Sequence, residues 1–325
     1  MKKQSKVVNF LMNYGVILLM VILVIVTGYL KPNFFTTRNL MNIVGRMSYR
    51  LVIALGIAGC IITAGCDLSA GRMIGFGACI AGVFLQNASG KMYPNLPTLH
   101  PLLAAVIAML VCGMFGCVTG FFIAYLHVPP FISTMAMMEI VYGINSIFTT
   151  SKNVNNFVDP YLNMYRNKFL GLSWTIWIAL LVACISWFIF NMTRHGKYMY
   201  AIGGNPQAAE VAGVPVAKTL VLIYMKAAMF YGLAGFIMGA MSGGVSVGTG
   251  LGYEMEAIAA CALGGVSVSG GRGKVSSAFI GVTVFEVLKT ALQFLGVDAN
   301  AQWIALGIII YIAISLDIRK YVAKK

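Results

Sequence analysis

Residues 101–126, "PLLAAVIAMLVCGMFGCVTGFFIAYL", hold no Asp, Glu, Lys, Arg or His. At about 1.5 Å of rise per residue a helix of this length covers about 39 Å, more than the roughly 30 Å of a bilayer's hydrocarbon core. With no polar face to offer water, the segment reads as a membrane span. The rest of the chain agrees: of 325 residues 59% are apolar and only 10% charged, where a soluble domain carries about 25% charged. The mean hydropathy is +0.85. No Gly/Ser/Pro-rich linker or shift in composition marks a second unit, so 1–325 is expected to form a single transmembrane domain.

Nine more apolar runs can be placed, at about 10–30, 48–64, 74–87, 131–149, 173–192, 219–241, 255–268, 275–295 and 302–317. The expectation is therefore an all-α polytopic membrane protein of about 10 transmembrane helices, some short or broken: 74–87 and 255–268 are too short to span comfortably. Residues 7–30 follow Lys2, Lys3 and Lys6 as a signal peptide would. Their apolar run exceeds the usual h-region and no small-residue cleavage site follows, so they read as a retained first helix.

Of the 23 Lys and Arg, starting with the N-terminus inside puts 13 on the inner side and 8 on the outer, with Lys226 and Lys289 within spans. Both termini thus come out cytoplasmic by the positive-inside rule. The same rule accounts for the net charge of +14, and with the cations spread along the chain nucleic-acid binding is not supported. The seven cysteines form no CxxC pair, and His100, His127 and His195 share no ligand spacing. Neither a metal nor a cofactor is expected. The outer loops "QNASGKMYPNLPTLHP" and "TTSKNVNNFVDPYLNMYRNKFLGLSW", rich in Asn, Pro and Tyr, read as an ordered surface, either a docking face or a connector.

The most basic long loop, residues 193–219, "TRHGKYMYAIGGNPQAAEVAGVPVAKT", turns at Gly203-Gly204-Asn205-Pro206 and then continues as a short helical pattern. Asn205 reads as its cap, Pro206 as its first-turn residue and Gly213 as its stop, giving a helix of about two turns across the inner face. Glu254 and Glu256 follow a Gly-rich outer loop. No nucleophile or metal ligand accompanies them, so general acid/base chemistry is not supported. The Trp residues lie near span ends, where an interfacial belt places them.

The loop also carries a resemblance. "GKYMYAIGGNPQAAEVAGV" is similar, almost residue for residue, to the cytoplasmic coupling loop of permease subunits from bacterial ABC importers for monosaccharides, the ribose, xylose and galactose class. "TTRNLMNIVGRMSYRLVIALGIAGCIITAGCDLSAGR", "HVPPFISTMAMMEIVYGINSI", "GYEMEAIAACALGGVSVSGGRGKV" and "WIALGIIIYIAISLD" follow in the family's order. Within the class, "IALGIAGCIITAGCDLSAGR", "IVYGINS" and "YEMEAIAACALGGVSVSGG" most resemble the importers of galactose and methyl-galactoside. Three positions depart from the pattern: His195 where an aromatic is common, Glu256 where Asp is common, and Lys226 where small uncharged residues stand. A cation deep in a span costs about 2.5–3.5 kcal/mol, so Lys226 is expected either to snorkel to the inner face or to pair with Glu286.

The resemblance implies a non-enzymatic permease in the bacterial inner membrane, working as a homodimer by alternating access. Two copies of an ATP-hydrolysing subunit below, or one polypeptide carrying tandem ATPase domains, and a periplasmic sugar-binding protein above would complete it. Consistent with a separate ATPase, "GGRGKVS" at 270–276 fails the phosphate-loop pattern at Val268 and Val275. Gly196, Gly203, Gly204, Asn205, Pro206, Ala208, Ala209, Glu210 and Gly213 would couple to the ATPase. Asp67, Ser69, Arg72, Glu254, Glu256, Ser269 and Arg272 would line or gate the pathway. The rival readings are an ion-coupled secondary transporter, which "AGCDLSAGR" at 64–72 superficially fits, and an intramembrane enzyme, for which no catalytic set is present.

At an offset of 200 residues, 64–83 lies over 264–283, with Gly65, Ser69, Gly71, Arg72, Ala78 and Ile80 recurring as Gly265, Ser269, Gly271, Arg272, Ala278 and Ile280. This reads as an internal repeat whose two copies both lie at the inner face. Asp67 has only Ser267 opposite it, and is expected to pair with Arg72.

Overall fold

The computed structural model describes residues 18, 20–305, 307, 308 and 311. The lysines at the N-terminus, both chain ends, the first part of the span expected at 10–30 and just over half of the one at 302–317 lie outside the described residues. The described chain is helical: α1 (Met20–Leu30), α2 (Thr37–Ile62), α3 (Ala70–Phe84), α4 (Pro101–Tyr125), α5 (Pro130–Thr149), α6 (Asp159–Arg166), α7 (Trp174–Met192), α8 (Arg194–Gly204), α9 (Pro206–Val211), α10 (Val216–Ser242), α11 (Tyr253–Leu263) and α12 (Val275–Phe294). Residues 299–305 begin a further helix, α13. Four two-residue strands, β1 (Val154–Asn155), β2 (Lys168–Phe169), β3 (Leu172–Ser173) and β4 (Gly244–Val245), pair β1 with β4 and β2 with β3.

Among the described residues six helices, α2, α4, α5, α7, α10 and α12, are long and apolar enough to cross a membrane. Their ends follow local rules: Pro101 and Pro130 occupy first-turn positions where no N–H is needed, and Gly243 ends α10 at φ +72°. α10 is the centre, packed against α2, α3 and α4. α2 is almost wholly buried, whereas α4, α5 and α7 leave most of their surface uncovered by the chain.

α2 is longer than its apolar run, beginning at Thr37 rather than near residue 48. Arg46 and Arg50 lie near its middle, and those charges are held by partners on α11 and α12, so the helix continues through them.

The two short candidates are α3, of 15 residues, and α11, of 11. α2 ends at Ile62 beside α8; residues 63–69 fold back with Ala64 at φ +59°, and α3 starts within the fold. It runs to the end that carries the strands, where Val158 N–H donates to Leu85 O at 2.8 Å. Residues 246–252 return from that end, and α11 then runs toward α8. The N-termini of α3 and α11 therefore meet inside the molecule, each helix completing part of a crossing.

The two Asn/Pro/Tyr-rich loops build one ordered lobe at the strand end. β1 pairs antiparallel with β4, Val154 opposite Val245 and Asn155 opposite Gly244. Gln86 Nε2 donates to Asn155 O at 2.9 Å, and Asn87 N–H to Asn156 O at 2.8 Å.

Candidate functional site

The place where α3 and α11 meet is set by a glycine. A Cβ on Gly71 would lie 1.9 Å from Glu254 Oε2 and 2.7 Å from Gly250 O, so only glycine lets the α11 entry approach the first turn of α3. Two positive helix ends converge here, and Asp67, Glu254 and Glu256 supply negative charge at them. Asp67 Oδ1 accepts from Ser69 N–H at 3.0 Å and from Ser69 Oγ at 2.6 Å, and the Tyr231 hydroxyl lies beside the carboxylate. Glu254 is buried, with Oε2 lacking a hydrogen-bond partner among the described residues.

Arg72 does not pair with Asp67. Its guanidinium lies 4.2 Å from the centroid of the Tyr142 ring and donates to Val247 O at 3.4 Å. The reason is geometric: Asp67 precedes the helix and turns onto Ser69, its N-cap residue, while Arg72 leaves the first turn toward α5. The expected repeat has a similar outcome. Residues 64 and 270–271 do touch, with Gly271 N–H donating to Ile62 O at 2.8 Å. Ala70–Arg72 are helical, however, whereas Gly270 and Gly271 take φ of +84° and +71°. Arg72 is half-buried beside the strand-end loop at Val247, and Arg272 is exposed next to Gly271, which meets the end of α8, so the two arginines do not occupy one face.

A second polar cluster joins α2, α11 and α12. Glu256 pairs with Arg50 and, at 2.6 Å, with Lys289; Glu286 pairs with Arg46 and, at 2.8 Å, with Arg50. Arg46 Nη2 also donates to Thr290 Oγ1 at 2.9 Å. The Arg50 guanidinium sits 4.9 Å from the Tyr253 ring centroid. Each carboxylate is buried and each has two cations, which is how a low-dielectric interior holds charge. Glu286 is thus taken, and Lys226 has no ion pair with it. Lys226 instead lines a cavity of about 20 Å³ between α2, α7, α8 and α10 with Ser186 and Met199, on the side of His195.

The loop expected at 193–219 forms α8 and α9. Thr193 Oγ1 accepts from Gly196 N–H at 3.1 Å to cap α8, and Asn205 Oδ1 accepts from Ala208 N–H at 3.0 Å to cap α9. Gly213, at φ +83°, ends α9. Ala209 is buried, while Pro206, Gln207, Ala208, Glu210 and Val211 are exposed, Val211 to 91%. At the end of α8, a Cβ on Gly203 would lie 1.8 Å from Ile62 O and 2.6 Å from Gly271 N, whereas Gly204 has open space. Tyr200 Oη donates to Gly273 O at 2.7 Å. The exposed α9 thus follows directly on α8, whose end bears on both the end of α2 and the loop that leads into α12. Burial and the nearby Lys226 charge push the His195 imidazole down to about 4, so it is neutral near pH 7.

Residues 39–314 match the family described as branched-chain amino acid transport system / permease component. The chain is 38% identical to the galactose/methyl galactoside import permease protein MglC of Escherichia coli over 98% of its own length and 97% of the relative's. The protein of that name from Haemophilus influenzae is 40% identical, over 90% of each chain. The ribose import permease protein RbsC of Escherichia coli is 30% identical, over 96% of this chain and 95% of the relative. No solved structure matches.

Proposed function

The chain belongs to the branched-chain amino acid transport system / permease component family, and from that membership we propose that it is the membrane-embedded permease of an ATP-driven importer for a monosaccharide. It is a multi-pass inner-membrane protein. Galactose and methyl galactoside are the substrates favoured by its likeness to the permeases named for them, with ribose second. Two copies would form the pathway between them, surrounded by lipid, in a topology of about 10 helices with both termini cytoplasmic.

The observation that carries the reading is the α9 lever. An exposed, capped helix joined through Gly203 to Ile62 and Gly271 gives a separate ATP-hydrolysing subunit a surface to push, with a rigid route to α2 and α12. Closure of that subunit on ATP would move α9, and the movement would reach the α3–α11 junction through residues 63–69 and through α12, which packs on α11. The lobe of β1, β4 and α6 lies at the opposite end, where a periplasmic sugar-binding protein would deliver its cargo. In this scheme Asp67, Ser69, Arg72, Glu254 and Glu256 shape the middle of the pathway, and Ser269 and Arg272 belong to the loop that meets α8.

One observation favours a second reading, an ion-coupled transporter: half-helices with buried carboxylates at their meeting point are a known way to hold coupling ions. Purification separates the two. A tagged chain expressed with its neighbouring subunits should bring down an ATPase, and Gly203→Ala or Val211→Asp should weaken that capture or uncouple ATP hydrolysis from uptake. A chain that never captures an ATPase sinks the importer reading.

A further inference from the structure

α5 presents a charge where lipid would not tolerate one. Glu139 is the tenth of its 20 residues, about 14 Å along the helix and so near the middle of a span. Its side chain is exposed, with no hydrogen bond or ion pair to any described residue. The buried positions of α5, Ser133, Thr134, Met137, Val141 and Asn145, lie on the opposite face. Glu139 therefore points straight away from the protomer's own core. Facing acyl chains, an ionisable group at this depth costs several kcal/mol, and such groups in spans face water-filled cavities or partners instead.

The neighbours on the same face fit a sugar. Tyr142, one turn on, is 41% exposed, and one face of its ring is held by the Arg72 guanidinium at 4.2 Å. At Gly143 a Cβ would meet nothing within 4 Å, so that position leaves open space beside the carboxylate. A carboxylate that accepts from hydroxyls, set beside a fixed aromatic ring that stacks on the apolar face of a pyranose, is the chemistry that recognises a neutral polyhydroxylated ring.

Resting on the permease reading above, we propose that this face of α5 lines the water-filled pathway, and that Glu139 and Tyr142 are where the passing monosaccharide touches the permease. Glu139 accepts from sugar hydroxyls, and Tyr142 supplies the stacking surface. Arg72 is a positioning residue that fixes the ring. The contact is exposed and solvated, so it is weak, as transit requires.

Two measurements on the assembled importer in proteoliposomes test this. In the first, Glu139→Gln, which keeps an acceptor, should take up labelled galactose within about twofold of wild type, while Glu139→Leu, which removes the acceptor, should fall at least about fivefold. Abundance of the Leu variant should be unchanged or higher, because it removes a charge from the span. In the second, Cys66, Cys117 and Cys184, the cysteines that are not fully buried, are replaced by Ser. Glu139→Cys in that background should then react with a membrane-impermeant cationic thiol reagent, and added galactose should slow the reaction. Leu181→Cys, on the exposed apolar face of α7, should not react. A Glu139→Cys as unreactive as Leu181→Cys, or a Glu139→Leu that transports like wild type, overturns the proposal: the face is then lipid-exposed or a dry contact between copies. Wild-type uptake in the same vesicles separates this outcome from failure of the permease reading itself.

Discussion

Arg50 on α2 and Glu256 on α11 form a buried ion pair that ties a half-helix to the most enclosed helix of the fold. Arg50 also reaches Glu286 on α12, so one guanidinium fastens three elements.

The first expectation concerns this network. Arg50→Leu leaves Glu256 with Lys289 alone and Glu286 with Arg46 alone. Removing one partner of a buried pair costs about 3–5 kcal/mol, because the remaining charge stays desolvated. Thermal unfolding in detergent should show the largest loss for Arg50→Leu and a smaller one for Lys289→Met, whose side chain is 21% exposed.

Asp67 and Arg72 should behave independently. Asp67→Asn retains an acceptor for Ser69 N–H and should be close to neutral for stability, whereas Asp67→Ala strands the buried Ser69 donors and should cost about 1–3 kcal/mol. A double-mutant cycle of Asp67→Ala with Arg72→Met should be additive within about 0.5 kcal/mol. A coupling energy well above that would mean the two charges meet.

The glycine at the lever's inner end is expected to be selective. Gly203→Ala places a methyl against Ile62 O and should lower both abundance and coupled uptake, while Gly204→Ala, facing open space, should match wild type. Equal effects of the two would show that helix propensity, not close approach, governs the site.

His195 gives a pH dependence. Its folded-state value is about 4, below the ordinary 6.5, so the unfolded chain binds the proton first as pH falls. The neutral imidazole's contribution is fully present above about 6.5 and is lost as pH drops toward 4. Stability measured from pH 7 to pH 4 should therefore decline less in His195→Phe than in wild type. Lys226→Met, by removing a nearby positive charge, should weaken the wild-type decline.

The long helices were legible in the residues because lipid imposes one requirement, an uninterrupted apolar run that satisfies its own backbone. The shortness of 74–87 and 255–268 likewise pointed to α3 and α11. That their N-termini meet was not readable, since the contact of Gly71 with Glu254 spans most of the chain. The start of α2 was hidden for a similar reason: Arg46 and Arg50 look like charges at the mouth of a span until Glu256 and Glu286, more than 200 positions away, are seen to hold them. α9 could be read because its cap, first-turn proline and terminal glycine act locally. Asp67 and Arg72 misled because proximity in sequence says little about which way two side chains leave a helix start.

The central claim, an ATP-driven monosaccharide permease, is tested most directly by uptake. Proteoliposomes holding this chain with its ATPase subunit, and supplied with a galactose-binding protein, should accumulate labelled galactose only when ATP is present. Ion gradients should make no difference, and Val211→Asp on α9 should abolish the accumulation. Accumulation without ATP that follows a proton or sodium gradient would contradict the account.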